Sequence, residues 1–213
     1  EIKKAIYKAI DLGVNFFDTA GAYGLGLSEE RLSKILGSRR HEVVIATKGG
    51  LSWTKSTSAR SVVVKDSSPT AIRQDVESSL SRLRLDCLPI FFVHWPDKNT
   101  PIEDTFIELS KLKNEGKINS IGCSNFSAHQ LREACIASQV DYVQLPINLL
   151  SGGLDSDISK ICTNNKIKVI AYNILENGLL SGKLDKNTNF PENDRRSRLP
   201  LFQGSEFINV LNR

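Results

Sequence analysis

Apolar positions along the chain repeat at two different spacings, and the alternation between them predicts the fold class. Ile2, Ile6 and Ile10 recur at the spacing of one helix face, whereas residues 14–20 form a short run typical of a buried strand. Strands are predicted at 14–20, 43–48, 88–95, 117–124, 142–148 and 168–174. One helix is predicted to end before Gly13, one to begin at an N-cap at Ser28, and one to begin at Ser68 and Pro69. Three more helices are predicted over 104–114, 128–138 and 155–165. Strands that alternate with helices in this way indicate an α/β fold with a parallel sheet.

Two segments depart from the alternation. Residues 49–66 are polar, rich in Ser and Thr, and contain Trp53. We interpret them as a long connection, of a size that often serves as a binding loop. After Lys183 the pattern decays into a polar loop, with a further helix start predicted at 206–211.

Polar residues at the ends of the strands distinguish between two α/β architectures. A barrel gathers the carboxyl ends of its strands into one ring, whereas a doubly wound sheet spreads them along an edge and binds its ligand at a switch point. Convergence favours the barrel, and we predict a (β/α)₈ TIM barrel that forms one domain over 1–213. The strand-end residues are Asp18, Lys48, His94, Ser124, Asn125, Gln144 and Tyr172.

Composition excludes several classes of protein. Of 213 residues, 40% are hydrophobic and 24% charged, and the net charge of +4 is spread along the chain without a basic block, so we expect no nucleic-acid partner. The apolar run at 88–95 contains Pro89 and is shorter than the roughly 20 residues of a membrane span, so we expect no membrane insertion. The four cysteines are far apart and form no metal-spaced cluster with the histidines, which predicts no metal and a reducing, cytoplasmic location.

Four strand-end residues could together perform proton chemistry. A Lys beside a phenol lowers the pKa of the Tyr from about 10, an Asp paired with the Lys keeps it charged, and a nearby His can bind a carbonyl oxygen. Each residue taken alone also has an interpretation without a catalytic role. Asp18 could cap a strand, Tyr23 could be an aromatic at the rim, Lys48 a solvated charge and His94 a core residue. Their joint occurrence at the ends of three strands favours a catalytic group. Dinucleotide and phosphate-loop fingerprints are incomplete, since the Gly24-Leu25-Gly26 run lacks a third glycine.

These residues lie in motifs that resemble a known family. The run DTAGAYG at 18–24 resembles the D-T-A-x-x-Y-G signature of the aldo-keto reductases. Further matching motifs follow in order over essentially the whole chain: ATKG at 46–49, HWPD at 94–97, GKI at 116–118, IGCSNF at 121–126, VQLP at 143–146 and GLLSGK at 178–183.

The resemblance implies a barrel that binds NADPH without a Rossmann domain and reduces a small-molecule aldehyde or ketone. Tyr23 would be the general acid, Lys48 paired with Asp18 would tune it, and His94 would orient the carbonyl. Trp53 and Trp95 would line the substrate pocket. The implied cofactor contacts, to the carboxamide, the nicotinamide ring and the phosphates, are Asp18, Ser124, Asn125, Gln144, Tyr172, Asn173, Leu175 and Lys183.

The chain departs from the family pattern both in particular residues and in length. Pro89 replaces a common acidic residue inside the third predicted strand. The family usually has Ser-Pro-Leu after the stacking aromatic, where this chain has Asn173-Ile174-Leu175, and Glu176 then falls in a turn expected to face the pyrophosphate. The six strands correspond to strands two to seven of the family, so the first and last are absent. Because the chain also starts within a helical pattern and contains no Met, we expect it to be part of a longer polypeptide.

Two other functions compete with carbonyl reduction. Barrels of this family also serve as regulatory subunits of potassium channels, in which turnover is secondary, and His94 favours the enzyme because the channel subunits have Asn there. A TIM-barrel hydrolase or isomerase would need a metal cluster or a carboxylate pair at the strand ends, and neither is apparent. The substrate and the oligomeric state are not determined by the sequence.

Overall fold

The structure is a computed structural model that describes residues 1–54 and 62–211, without the side chains of Trp53, Thr54 and Val62. Its strands fall into one six-stranded sheet and one two-stranded sheet. They are β1 (Phe16–Asp18), β2 (Val44–Gly49), β3 (Leu51–Thr54), β4 (Val62–Lys65), β5 (Leu88–Val93), β6 (Ile118–Ser124), β7 (Tyr142–Pro146) and β8 (Lys168–Tyr172). The helices are α1 (Ile2–Asp11), α2 (Leu27–Leu36), α3 (Pro69–Leu83), α4 (Ile102–Asn114), α5 (Ala128–Ala137), α6 (Ser156–Asn165) and α7 (Gly204–Leu211).

The large sheet has its strands in the order β1-β2-β5-β6-β7-β8. Successive pairs from β1 to β7 are parallel. The strands follow chain order, without the reversal that defines a doubly wound sheet. The predicted (β/α)₈ type of sheet, here with six strands, is therefore confirmed.

Local chemistry explains why the helices begin where they do. Ser68 accepts a hydrogen bond from the backbone N–H of Ala71 (3.3 Å) and precedes a proline at the first position of α3, as predicted. Asp155 caps α6 in the same manner. Ser127 and Gln130 form a reciprocal capping box at the start of α5.

Close packing between β5 and β6 fixes the middle of the sheet. Phe91 and Phe92 are fully buried. A Cβ atom on Gly122 of β6 would lie 2.4 Å from the Phe92 ring, so only glycine allows this ring to lie against the strand. Phe92 is paired with Lys48 of β2 on one side and with Gly122 of β6 on the other. This register determines where β2, β5 and β6 end relative to one another.

Three expectations about boundaries are wrong. Ser28 is not the N-cap of α2: the helix begins at Leu27 after Gly26, and the Ser28 hydroxyl instead bonds that of Thr19 at 2.8 Å. Residues 49–66 are not simply a loop, because β3 and β4 pair antiparallel within them. The first strand is shorter than 14–20, because only Phe16–Asp18 reach the β2 ladder.

The chain divides into two compact units, 1–145 with 155–170 and 146–154 with 171–213. The first contains β1 to β6. The second has a small apolar cluster of its own, in which Leu179, Phe202 and Phe207 are buried. Over residues 1–54 and 62–211, no helix combines the length and apolar character needed to cross a membrane.

Candidate active site

Lys48 is a buried lysine at the carboxyl end of β2. Its side chain is 2% exposed, and its Nζ donates to both carboxylate oxygens of Asp18 (2.7 and 2.6 Å) and to the backbone oxygen of Thr19 (3.0 Å). Burial lowers the pKa of Lys48, and the Asp18 carboxylate opposes that shift. The ammonium group is thus held at one point by three short contacts from β1 and the residue after it.

Tyr23 lies in the turn between β1 and α2, and its partly exposed ring lies next to the buried Lys48 ammonium. The lysine Nζ is 5.3 Å from the centroid of the Tyr23 ring. The same ring meets His94 edge to face, with centroids 5.7 Å apart and planes at 80°. Four residues from three strand ends, which the sequence predicted as a group, therefore lie together: Asp18, Tyr23, Lys48 and His94.

His94 follows β5 and is held through its backbone. Its N–H donates to the oxygen of Gly49 (2.9 Å), and its own oxygen accepts from Asn125 Nδ2 (3.0 Å). The side chain is only 9% exposed, and burial together with the Lys48 charge lowers its pKa to about 4. His94 Nδ1 is buried and has no hydrogen-bond partner among the described residues.

A cluster of polar groups lies at the ends of β6 and β7. Asn125 donates through Nδ2 to Ser124 Oγ (3.0 Å), and Ser124 Oγ donates to Gln144 Oε1 (3.4 Å). Ser124 and Gln144 are buried, at 1% and 3% exposure, and Asn125 adopts a left-handed backbone with φ 64°. Because Asn125 also binds the His94 backbone, this cluster is continuous with the site around Tyr23. Its buried amide and hydroxyl groups can bind a carboxamide.

The remaining predicted cofactor residues lie in the second unit. Tyr172 ends β8, and burial raises its pKa. Asn173 has a left-handed backbone with φ 55°, while Leu175 and Lys183 are exposed.

Glu176, the acidic departure from the family pattern, is held by amides within the same unit. Its carboxylate accepts from Asn148 Nδ2 (2.5 Å), Asn173 Nδ2 (2.9 Å) and Asn177 Nδ2 (3.3 Å). These bonds fix the direction of the carboxylate through two side chains of its own loop, Asn173 and Asn177, and through Asn148, which follows β7.

The two tryptophans predicted to line a substrate pocket are described to different extents. Trp95 is 39% exposed, and Lys65 Nζ lies 4.9 Å from its ring centroid. The backbone of Trp53 belongs to β3 and pairs with Val63, but its side chain lies outside the described part of the chain.

Sequence reasoning missed a buried ionic group behind the site. Glu29, in the first turn of α2, is fully buried and pairs with Thr47 and Arg82. Asp75 accepts from the Gly50 backbone N–H (2.7 Å), and burial raises its pKa to about 6. Neither could have been found from spacing, because both are ordinary helix positions by sequence. In residues 1–54 and 62–211, no three His, Cys, Asp or Glu side chains group as a metal site would require.

Comparison with known proteins identifies the family. The family model described as "Aldo/keto reductase family" matches residues 1–212, and the chain belongs to this family. It is 33% identical over 97% of its length to an NADH-specific methylglyoxal reductase of Escherichia coli, of which it covers 65%. It is 33% identical over 95% of its length to the aldo-keto reductase yakc [NADP(+)] of Schizosaccharomyces pombe, of which it covers 60%.

Among solved structures, a glycerol dehydrogenase from Gluconobacter oxydans is similar to this chain, with a TM-score of 0.88 and 38% identity. The alignment covers 98% of this chain and 64% of that one. The chain therefore spans less than two thirds of the length of these relatives.

Proposed function

We propose that this protein reduces an aldehyde or ketone to an alcohol, with NADPH as the hydride donor and Tyr23 as the general acid. Overall, the carbonyl carbon gains a hydride, the carbonyl oxygen gains a proton, and NADPH becomes NADP⁺. Family membership supports the reaction class. The observation that carries the proposal is the placement of Tyr23 against both Lys48 and His94.

Tyr23 is a better candidate for the acid than His94. With a pKa of about 4, the imidazole is neutral at pH 7, so it binds the carbonyl oxygen as a neutral donor. The Tyr23 phenol offers an O–H proton, and the Lys48 ammonium beside its ring stabilises the phenolate left after transfer. Asp18 keeps the ammonium in place. In this mechanism Tyr23 donates the proton, Lys48 tunes it and His94 orients the carbonyl.

The residues present fit a nicotinamide cofactor. Ser124 and Gln144 are buried and, together with Asn125, form a polar cluster next to His94 that suits the carboxamide. The family resemblance adds Asp18 to these contacts. The family resemblance adds Tyr172, Asn173, Leu175 and Lys183 as cofactor contacts, with Tyr172 stacking on the nicotinamide ring and Lys183 near the phosphates. When bound, NADPH supplies the hydride.

The choice of NADPH over NADH comes from the family resemblance, and the relatives differ in this respect, one being named NADH-specific and another NADP(+). Fluorescence titration with each cofactor tests it. Tighter binding of NADPH is expected, and equal affinities would refute the preference. We also propose a cytoplasmic location, which the four unpaired thiols support.

Single-turnover hydride transfer in Tyr23→Phe tests the acid assignment. The variant retains the ring and loses the proton, so NADPH binding is expected to persist while transfer falls by roughly 10²–10⁴. Tyr142→Phe is a matched control, because Lys168 Nζ lies 5.7 Å from the Tyr142 ring centroid in a similar tyrosine–lysine pair. Unchanged transfer in Tyr23→Phe would disprove the assignment, and loss of cofactor binding would show that Tyr23 is structural.

A further inference from the structure

Behind the proposed active site, Glu29 links β2 to α3 through buried bonds. Its side chain is 0% exposed. One carboxylate oxygen accepts from Thr47 Oγ1, and the other accepts from Arg82 Nε at 2.5 Å. Thr47 immediately precedes Lys48, so this carboxylate contacts the strand next to the buried lysine.

Arg82 extends from α3 beneath the turn that carries Tyr23. A Cβ atom on Gly21 would lie 3.1 Å from Arg82 Nη2, and one on Gly26 would lie 2.9 Å from Arg82 Cδ. Two residues of this turn thus rest directly on the arginine, one on each side of Tyr23. Gly26 also has φ +94°, a conformation that favours glycine.

The same face of α3 supports the residues that follow Lys48. Asp75, Ser79 and Arg82 are spaced by four and three positions and therefore lie on one side of the helix. Asp75 accepts from the Gly50 N–H at 2.7 Å, and Ser79 is 1% exposed. A helix face packed against a sheet is ordinarily apolar, and burying charged groups there costs free energy unless each is paired.

We propose that Glu29 and Arg82 are positioning residues, which hold the Tyr23 turn at a fixed distance from Lys48. The proposal rests on the proposed function, because it assigns a role to these residues in the hydride-transfer step. Glu29 connects to Lys48 through Thr47, and Arg82 connects to Tyr23 through Gly21 and Gly26. The Arg82–Glu29 bond joins the connection to Lys48 with the connection to Tyr23. A shift of the turn by about 1 Å can lower the rate by about 10²-fold without any change in the reacting groups.

The test compares Arg82→Gln and Arg82→Lys with Arg73→Gln in the same helix. Arg73 is a matched control because it also bonds two carboxylates, Glu108 at 2.6 Å and Glu115 at 2.7 Å, and these belong to α4 and the residue after it rather than to the Tyr23 turn. We expect single-turnover transfer per cofactor-bound site to fall about 10²-fold in Arg82→Gln. Arg82→Lys should recover part of the transfer rate that Arg82→Gln loses. Its ammonium keeps the charge, but it cannot both bond Glu29 and fill the space under Gly21. Arg73→Gln should leave the rate unchanged.

A second variant guards against misfolding. Removing Arg82 alone leaves a buried carboxylate unpaired, whereas Glu29→Gln with Arg82→Gln removes both charges. Titration with NADPH counts the folded sites, so that the rate is expressed per competent molecule. The pH dependence gives a readout that loss of folded protein does not move: if the turn relaxes away from the Lys48 ammonium, the pH at which transfer falls to half its maximum rises.

The outcomes separate the two proposals. All variants are made in the full-length polypeptide, and if that unmodified polypeptide is inactive, the proposed function and the positioning role are both refuted. An active protein in which the Arg82 variants transfer hydride at the unmodified rate, or lose no more than Arg73→Gln, refutes only the positioning role. A lower rate with an unshifted pH profile also refutes it, since the Tyr23–Lys48 separation would then be unaffected.

Discussion

Replacement of His94 by Asn removes a titration that should be measurable in the stability of the protein. Burial and the Lys48 charge lower the pKa of this histidine from 6.5 to about 4. Its folded-state pKa is below its unfolded-state value, so between pH 6.5 and pH 4 the unfolded chain takes up a proton that the folded protein does not. The free energy of unfolding therefore falls as the pH falls through this window, and it is unaffected above it.

The size of the effect follows from the shift. Between pH 7.5 and pH 5, a change from 6.5 to about 4 lowers the free energy of unfolding by about 2 kcal/mol. His94→Asn should not show this loss, so the variant gains about 2 kcal/mol relative to the unmodified protein on going to pH 5.

Asp75 acts in the opposite direction and makes the comparison between variants necessary. Burial raises its pKa from 3.8 to about 6, so the folded protein binds a proton that the unfolded chain does not. This stabilises the fold as the pH falls, by about 1 kcal/mol between pH 7.5 and pH 5, and partly masks the histidine in the unmodified protein.

Urea unfolding at pH 7.5 and pH 5 of the unmodified protein, His94→Asn and Asp75→Asn measures both effects. The pH-dependent difference from the unmodified protein should be positive for His94→Asn and negative for Asp75→Asn on acidification. An equal difference at the two pH values for His94→Asn would refute the reasoning, because the imidazole would then titrate in the folded protein much as it does in the unfolded chain.

Two further predictions concern the strand ends and the sheet. Lys48→Met should lower hydride transfer about as much as Tyr23→Phe and flatten its dependence on pH, with NADPH binding retained; a steep pH dependence in the variant would contradict the tuning role. Gly122→Ala should destabilise the protein by roughly 1–3 kcal/mol in urea unfolding, because the new Cβ would lie 2.4 Å from Phe92, and an unchanged midpoint would contradict this packing.

The strand-end residues could be predicted from the sequence because parallel strands place their carboxyl ends on one side of a sheet. Asp18 and Lys48 come from neighbouring strands, and the register that pairs Lys48 with Phe92 brings His94 beside them. Ser124 and Gln144 are likewise paired across β6 and β7. A strand boundary known to within one or two residues was sufficient for these predictions.

The hairpin of β3 and β4 was missed for a physical reason. The Ser/Thr-rich composition of 49–66 indicates a loop, yet Val62, Val63 and Val64 are β-branched residues that favour strands. The backbones of Trp53 and Val63 lie opposite each other in the ribbon. The valine run was the available signal, and the polar residues around it obscured it.

Ser28 shows how a tertiary contact overrides a local preference. Serine before a helix with two acids following is a typical N-cap pattern, which is why the sequence indicated it. In the structure its hydroxyl bonds Thr19, the residue after Asp18, and α2 begins at Leu27, two residues before the start that an N-cap at Ser28 implies. The serine therefore ties the helix to the strand end that carries the Lys48 partner, and no local rule predicts that.

Burial gives the site both its chemistry and its response to pH. It lowers the pKa of Lys48 and of His94 and raises that of Asp75, so each of these groups is shifted towards its neutral form. Such shifts mark a region of low effective dielectric, in which one ammonium beside a phenol stabilises the phenolate more than it would in water. The same region makes an unpaired charge costly, which explains why Lys48 requires Asp18 and why Glu29 requires Arg82. It follows that a neutral replacement for His94 should increase stability at acidic pH while it removes the group that orients the carbonyl. Gains in acid stability at this position should therefore be accompanied by losses in kcat/KM.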